Sequence, residues 1–132
     1  IEAGHLDPLC ALAKESGMTV VLGCIERPLD RGGHSLYASL VYIDSDGLIQ
    51  SVHRKLMPTV MERVIWGFGD GSTLTAVDSP YGRIGSVICW ENYMPMLRMA
   101  MYSKKEMVPP GLSRPANAPR CSWTRPTCSA AW

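Results

Sequence analysis

Leu6, Leu9, Cys10, Leu12 and Ala13 recur at roughly helical spacing and Gly17 supplies a stop, so the pattern predicts a helix over residues 6–16. Met18 to Ile25 is a short apolar run rich in β-branched side chains, which suits a strand covered on both faces, as in an α/β or layered fold. Arg27 to Gly33 is a polar turn with Pro28 and two adjacent glycines, and Ser35 to Ile43 reads as a second strand. Asp44-Ser45-Asp46-Gly47 is a strong turn signal, after which Leu48 to Leu56 returns as a third strand. From Met57 to Ser72 the periodicity disappears while Trp66 and Phe68 remain, and a loop of that length is more often functional than idle. Thr73 to Val77 and Arg83 to Trp90 then flank Asp78-Ser79-Pro80-Tyr81-Gly82 as strand, turn and strand. Pro95 opens a helix that continues through Met96, Leu97, Met99, Ala100 and Met101 and stops near Lys104. No internal repeat is present. The order of elements is that of an α/β chain.

Composition narrows the class without changing it. Of the 132 residues, 46% are apolar and 19% charged, which excludes wholesale disorder and collagen-like repeats. A net charge of +1 gives no general electrostatic reason to bind nucleic acid or a membrane surface. No apolar run approaches the roughly 18 residues that cross a bilayer. Five cysteines without regular spacing argue against a disulfide framework and for a reducing compartment, so a cytoplasmic location is expected. The distribution is uneven, however. Residues 107–132 hold three arginines (Arg114, Arg120, Arg125), no acidic residue and half of the ten prolines.

Three residues carry candidate chemistry. Cys89 ends the run Ile84-Gly85-Ser86-Val87-Ile88 and precedes the Pro95 helix. A thiol on such a strand-to-helix bend stands at a sheet edge, where a helix N-terminus favours the thiolate; position alone leaves a buried structural cysteine ahead. Lys55 closes the third strand within His53-Arg54-Lys55. Three adjacent basic residues are by default a solvated strand end, whereas beside Cys89 a fixed ammonium stabilises charge on an attacked carbon–nitrogen group. Glu62 lies in the loop between them. Alone, Glu62 and Arg63 read as an exposed pair; near a cysteine and a lysine, the carboxylate takes a proton or orients the lysine. Cys10 and Cys24 sit inside apolar stretches and read as structural. His5 and His34 lack partners at ligand spacing, and Cys121 and Cys128 are a weak metal pair. Gly67-Phe68-Gly69-Asp70-Gly71 lacks the lysine and following helix of a phosphate loop. No metal or nucleotide site is expected.

Read together, His53-Arg54-Lys55-Leu56-Met57-Pro58-Thr59, Glu62-Arg63-Val64-Ile65-Trp66-Gly67, Gly69-Asp70-Gly71-Ser72 and Ile88-Cys89-Trp90-Glu91-Asn92-Tyr93-Met94-Pro95 resemble the nitrilase family. The resemblance continues through Leu97-Arg98-Met99-Ala100-Met101-Tyr102, reaches back through Val21-Leu22-Gly23 and Ile25-Glu26-Arg27, and covers residues 1–104. It implies a carbon–nitrogen hydrolase with the α-β-β-α sandwich of the nitrilase superfamily, of which this chain is a central fragment, and no metal or organic cofactor. On that resemblance Cys89 matches the nucleophile that forms a thioimidate with a nitrile, and Lys55 matches the lysine that stabilises the intermediate. Glu62 matches a second glutamate that orients lysine and substrate. Trp90, Glu91 and Asn92 become substrate-pocket candidates and favour the nitrilase and cyanide-degrading branch. An aliphatic amidase is the runner-up, since amidase branches usually carry tyrosine and aspartate there.

The resemblance also implies what to expect beyond the matched residues. The family's general-base glutamate belongs to a segment upstream, and Glu2 has none of that motif around it, so this polypeptide alone is expected to have little or no activity. The small-molecule partner is a nitrile, and homo-oligomers are expected of the full-length family. Residues 105–132 read either as the product of a shifted frame or as a disordered interaction tail. A reading from another class is a non-catalytic α/β module that packs against a partner.

Overall fold

In the computed structural model, which describes residues 1–31 and 34–109, the first apolar repeat forms helix α1 (Asp7–Ser16). Pro8 occupies its first turn, and Gly17 ends it at φ 61°, a left-handed conformation that glycine adopts without steric penalty. The strands β1 (Val20–Glu26), β2 (Tyr37–Ile43) and β3 (Ile49–Arg54) follow and pair antiparallel in the order β1-β2-β3. Glu26 opposes Tyr37 across the first pair, and Ser39 opposes Arg54 across the second.

Alternation along β2 explains the layers, because successive side chains point to opposite faces of a strand. Val41 and Ile43 pack with Ala13 of α1, while Leu40 and Tyr42 pack with Ile84 on the other side. Every residue of β2 is buried, so β2 is the strand covered on both faces. The sequence expectation gave that role to Met18–Ile25 and is corrected here. β1 lies at the edge of its sheet, and the second layer reaches Val21 but leaves Gly23 and Ile25 exposed.

That second layer is the hairpin β4 (Ala76–Ser79) and β5 (Gly82–Gly85). Helix α2 (Pro95–Ser103) covers its far side, with Leu97 and Met101 packed against Leu74 and Val87. The order through the molecule is α1, three-stranded sheet, hairpin, α2: an α-β-β-α arrangement. Tyr42 ties the two sheets, its hydroxyl accepting from the Ser86 N–H at 2.8 Å and donating to the Ser86 carbonyl at 3.2 Å.

Packing continues beyond Lys104. The N–H groups of Met107 and Val108 donate to the Arg83 carbonyl, and the Gly85 N–H donates to the Val108 carbonyl. Glu106 is buried against Arg98 at 2.7 Å; burial pushes its carboxyl up, and the guanidinium only partly offsets this. The start of the segment that the sequence assigns to a tail is thus docked on β5. Residues 110–132 lie outside the described residues.

Candidate active site

Lys55 follows β3 directly, its N–H donating to the Ala38 carbonyl at 2.8 Å, and the alternation of the strand turns it to the same face as His53. The loop expected between Met57 and Ser72 contains two short 3₁₀ helices, Val60–Val64 and Gly71–Thr73. Glu62, in the first of them, accepts from the Lys55 ammonium at 2.6 Å and from the Thr59 N–H at 2.7 Å, both on Oε2. The ammonium also donates to Thr59 Oγ1 at 3.2 Å. Burial raises the Glu62 carboxyl, but the hydrogen bonds from Lys55 and Thr59 outweigh it and hold the group below its ordinary value. Lys55 itself is only 1% exposed, so the ion pair is closed to solvent on the lysine side. None of His53, Arg54 and Lys55 is the solvated strand end that three basic residues suggest.

Cys89 is reached differently from the sequence expectation. β5 stops at Gly85, and Cys89 begins a 3₁₀ helix, Cys89–Tyr93, rather than ending a strand. The reason is backbone geometry: Cys89 has φ +57°, which no strand accommodates and which is uncommon for any residue but glycine. Such strain clusters at functional positions. α2 begins only at Pro95, so its N-terminus does not flank the thiol as the sequence suggested.

The two 3₁₀ helices that carry Glu62 and Cys89 share one design. Each starts on a residue of positive φ, Val60 at +45° and Cys89 at +57°. In each, the glutamate two residues further on reaches back to the N–H just before the helix: Glu62 to Thr59, and Glu91 to Ile88 at 2.6 Å.

Lys55, Glu62 and Cys89 line one cavity of about 250 Å³, together with Ala38, Leu40, Trp66 and Ile88. Cys24 borders it too, yet packs with the cluster under α1, and burial followed by the nearby Glu26 charge pushes its thiol up. The other three candidates stand elsewhere. Trp90 is 61% exposed and lies against Tyr93, with ring centroids 5.4 Å apart. Asn92 donates to the carbonyls of Cys89 (2.9 Å) and Val87 (3.3 Å), bracing the turn, and borders a separate hollow on α2. Glu91 is wholly buried and does not line the cavity, because backbone amides consume both of its oxygens. In the sequence Trp66 stands out only as a loop aromatic and a member of the Glu62–Gly67 motif, and Ala38 and Leu40 carry no chemical signal of their own. Among the described residues no group of three or more His, Cys, Asp or Glu converges on a metal-sized site.

Residues 1–124 match the family described as carbon-nitrogen hydrolase, and the chain belongs to that family. Over 100 residues it is 50% identical to a bifunctional nitrilase/nitrile hydratase of Nicotiana tabacum, covering 76% of this chain and 28% of that protein. Over 104 residues it is 49% identical to an aliphatic nitrilase of Sinorhizobium fredii, covering 79% and 32% respectively. The chain therefore spans about a third or less of the curated relatives it matches. A carbon-nitrogen hydrolase from Helicobacter pylori superposes with TM-score 0.62 at 22% identity over 74% of this chain and 33% of that one. Saccharomyces cerevisiae Nit3, of the nitrilase superfamily, gives 0.68 at 23% identity over 79% and 37%. These two structures establish the fold.

Proposed function

We propose that this chain carries the nucleophile, lysine and second glutamate of a nitrilase, which converts a nitrile to a carboxylic acid and ammonia. The supporting observation is that Cys89, on its strained turn, faces the same small cavity as the paired Lys55 and Glu62. In this reading the Cys89 sulfur attacks the nitrile carbon. The S–C bond forms, the carbon–nitrogen triple bond becomes double, and the nitrogen takes a proton to give a thioimidate. Lys55 faces the charge that develops on that nitrogen, with Glu62 and Thr59 holding the ammonium in place. Water then adds, ammonia leaves, and a second water releases the acid and restores the thiol.

Proton transfer limits this chain. Among the described residues lining the cavity Glu62 supplies the one carboxylate, and its Oε2 already takes two donors. With no second carboxylate among these residues to take the thiol proton and activate water, addition is expected to be slow and hydrolysis slower still, so that the adduct accumulates. Incubating the chain with an arylacetonitrile or an aliphatic nitrile and weighing the intact protein tests this. An adduct of the nitrile's own mass on the peptide containing Cys89, absent in Cys89→Ala, with little ammonia released, is the expected result. An adduct shared equally with Cys10 and Cys24, or one that survives Cys89→Ala, defeats the reading.

A further inference from the structure

Glu91 and His53 are both fully buried, and the chemistry proposed above uses neither. Glu91 Oε1 accepts from the Leu56 N–H and Oε2 from the Ile88 N–H, each at 2.6 Å. Leu56 is the residue after Lys55, and Ile88 is the residue before Cys89. One carboxylate therefore spans the gap between the lysine's strand end and the nucleophile's turn. We propose that Glu91 is a positioning residue that sets the placement of Cys89 relative to Lys55, acting through these two amides and not through contact with substrate. The proposal rests on the roles given above to Lys55 and Cys89.

The surroundings fit a device that fixes geometry. His53 Nε2 lies 3.3 Å from Glu91 Oε2 and donates to it, since a carboxylate that receives both amides offers only acceptors. On its other side His53 Nδ1 meets Thr73 Oγ1 at 3.4 Å, and that hydroxyl also accepts from the Arg54 N–H at 3.1 Å. The chain of contacts thus joins β3, the Gly71–Thr73 helix and the nucleophile turn. The parallel with Glu62 is informative: Glu62 binds the side chain of residue 55 and Glu91 the main chain of residue 56, each while reaching back to the amide before its own helix. Two glutamates hold consecutive residues of one strand end against two similar turns.

Glu91→Gln is the decisive variant. It keeps the shape but replaces one oxygen with an NH₂ group, so in either flip one of the two amides faces a donor and loses its partner. Hydrogen exchange of the full chain reads the amides, and iodoacetamide alkylation at neutral pH reads Cys89, with Cys10 as the reference in the same molecule. The expected result is faster exchange in the peptides holding Leu56 and Ile88, unchanged exchange in α1, and Cys89 alkylation slowed roughly tenfold while Cys10 is unaffected. In the presence of Lys55→Met the further slowing by Glu91→Gln should shrink, because the two act as a unit. Unchanged alkylation of Cys89, effects of the two substitutions that multiply in full, or loss of protection spreading to α1 and β1 would each overturn the proposal. Failure of the nitrile reading shows separately, as absent nitrile adducts with the Glu91 effect on Cys89 intact; that outcome keeps the clamp.

Discussion

Gly69 shows how finely the residues around Lys55 are fitted. Its N–H donates to the Lys55 carbonyl at 2.8 Å, and a Cβ at this position would lie 2.8 Å from that oxygen and closer still to the Arg54 carbonyl. Both obstacles are backbone, so the loop has to move off the strand end. Gly71, two residues on, has nothing within 4 Å of where a Cβ would lie. Gly69→Ala is therefore expected to cost about 1–3 kcal/mol and to reduce nitrile adduct formation, with Gly71→Ala within about 0.5 kcal/mol of the original. Thermal melts and intact mass measured on the pair check this, and equal effects at both positions would refute the argument. At this scale the resemblance singles out Cys89, Lys55 and Glu62, whose side chains alone read as structural or exposed, and the structure brings the three to one cavity. The resemblance makes Glu91 a pocket candidate, and in the structure its two oxygens take the Leu56 and Ile88 amides. The Leu56 amide that holds it lies 35 residues earlier, a distance that no local pattern encodes.

Among the elements, one carboxylate stitches the three-stranded sheet. Glu26 of β1 receives Arg54 Nε (2.9 Å) and Nη2 (2.8 Å) from β3 and the Ser39 hydroxyl (2.7 Å) from β2. Burial raises its carboxyl, but the hydrogen bonds of Arg54 and Ser39 and the guanidinium charge win, and the group sits below the ordinary 4.5. An acid whose value falls on folding contributes stability above its unfolded value and loses it as pH drops through the folded one. The difference in melting temperature between the original chain and Glu26→Gln should thus be full near neutrality and narrow steadily below about pH 4.5. A difference independent of pH would show that the charge is not what holds the strands. The strands themselves were readable from their apolar runs and the Asp44–Gly47 turn. The end of β5 was not, because Ser86-Val87-Ile88 has the composition of a strand, and only the positive φ at Cys89 reveals the bend.

Across the whole molecule the layers meet at Tyr42. Its hydroxyl is a polar link between the sheets beside the apolar contact of Leu40 and Ile84, and burial pushes its pKa up to about 12, so it keeps its proton and can both donate and accept. Tyr42→Phe leaves the N–H and carbonyl of Ser86 without that partner and is expected to cost about 1–3 kcal/mol. In urea this should appear as a lower midpoint with an unchanged slope; a changed slope would mean that the sheets had already separated in the folded state. The strained backbone at Cys89 has a different consequence at this scale. A left-handed conformation costs a side-chain-bearing residue about 1 kcal/mol that glycine escapes. Cys89→Gly would therefore relax the turn while deleting the sulfur, and a laboratory search for sturdier variants that ignores chemistry would be drawn towards it. The proposed nucleophile thus occupies a position where durability and reactivity pull in opposite directions.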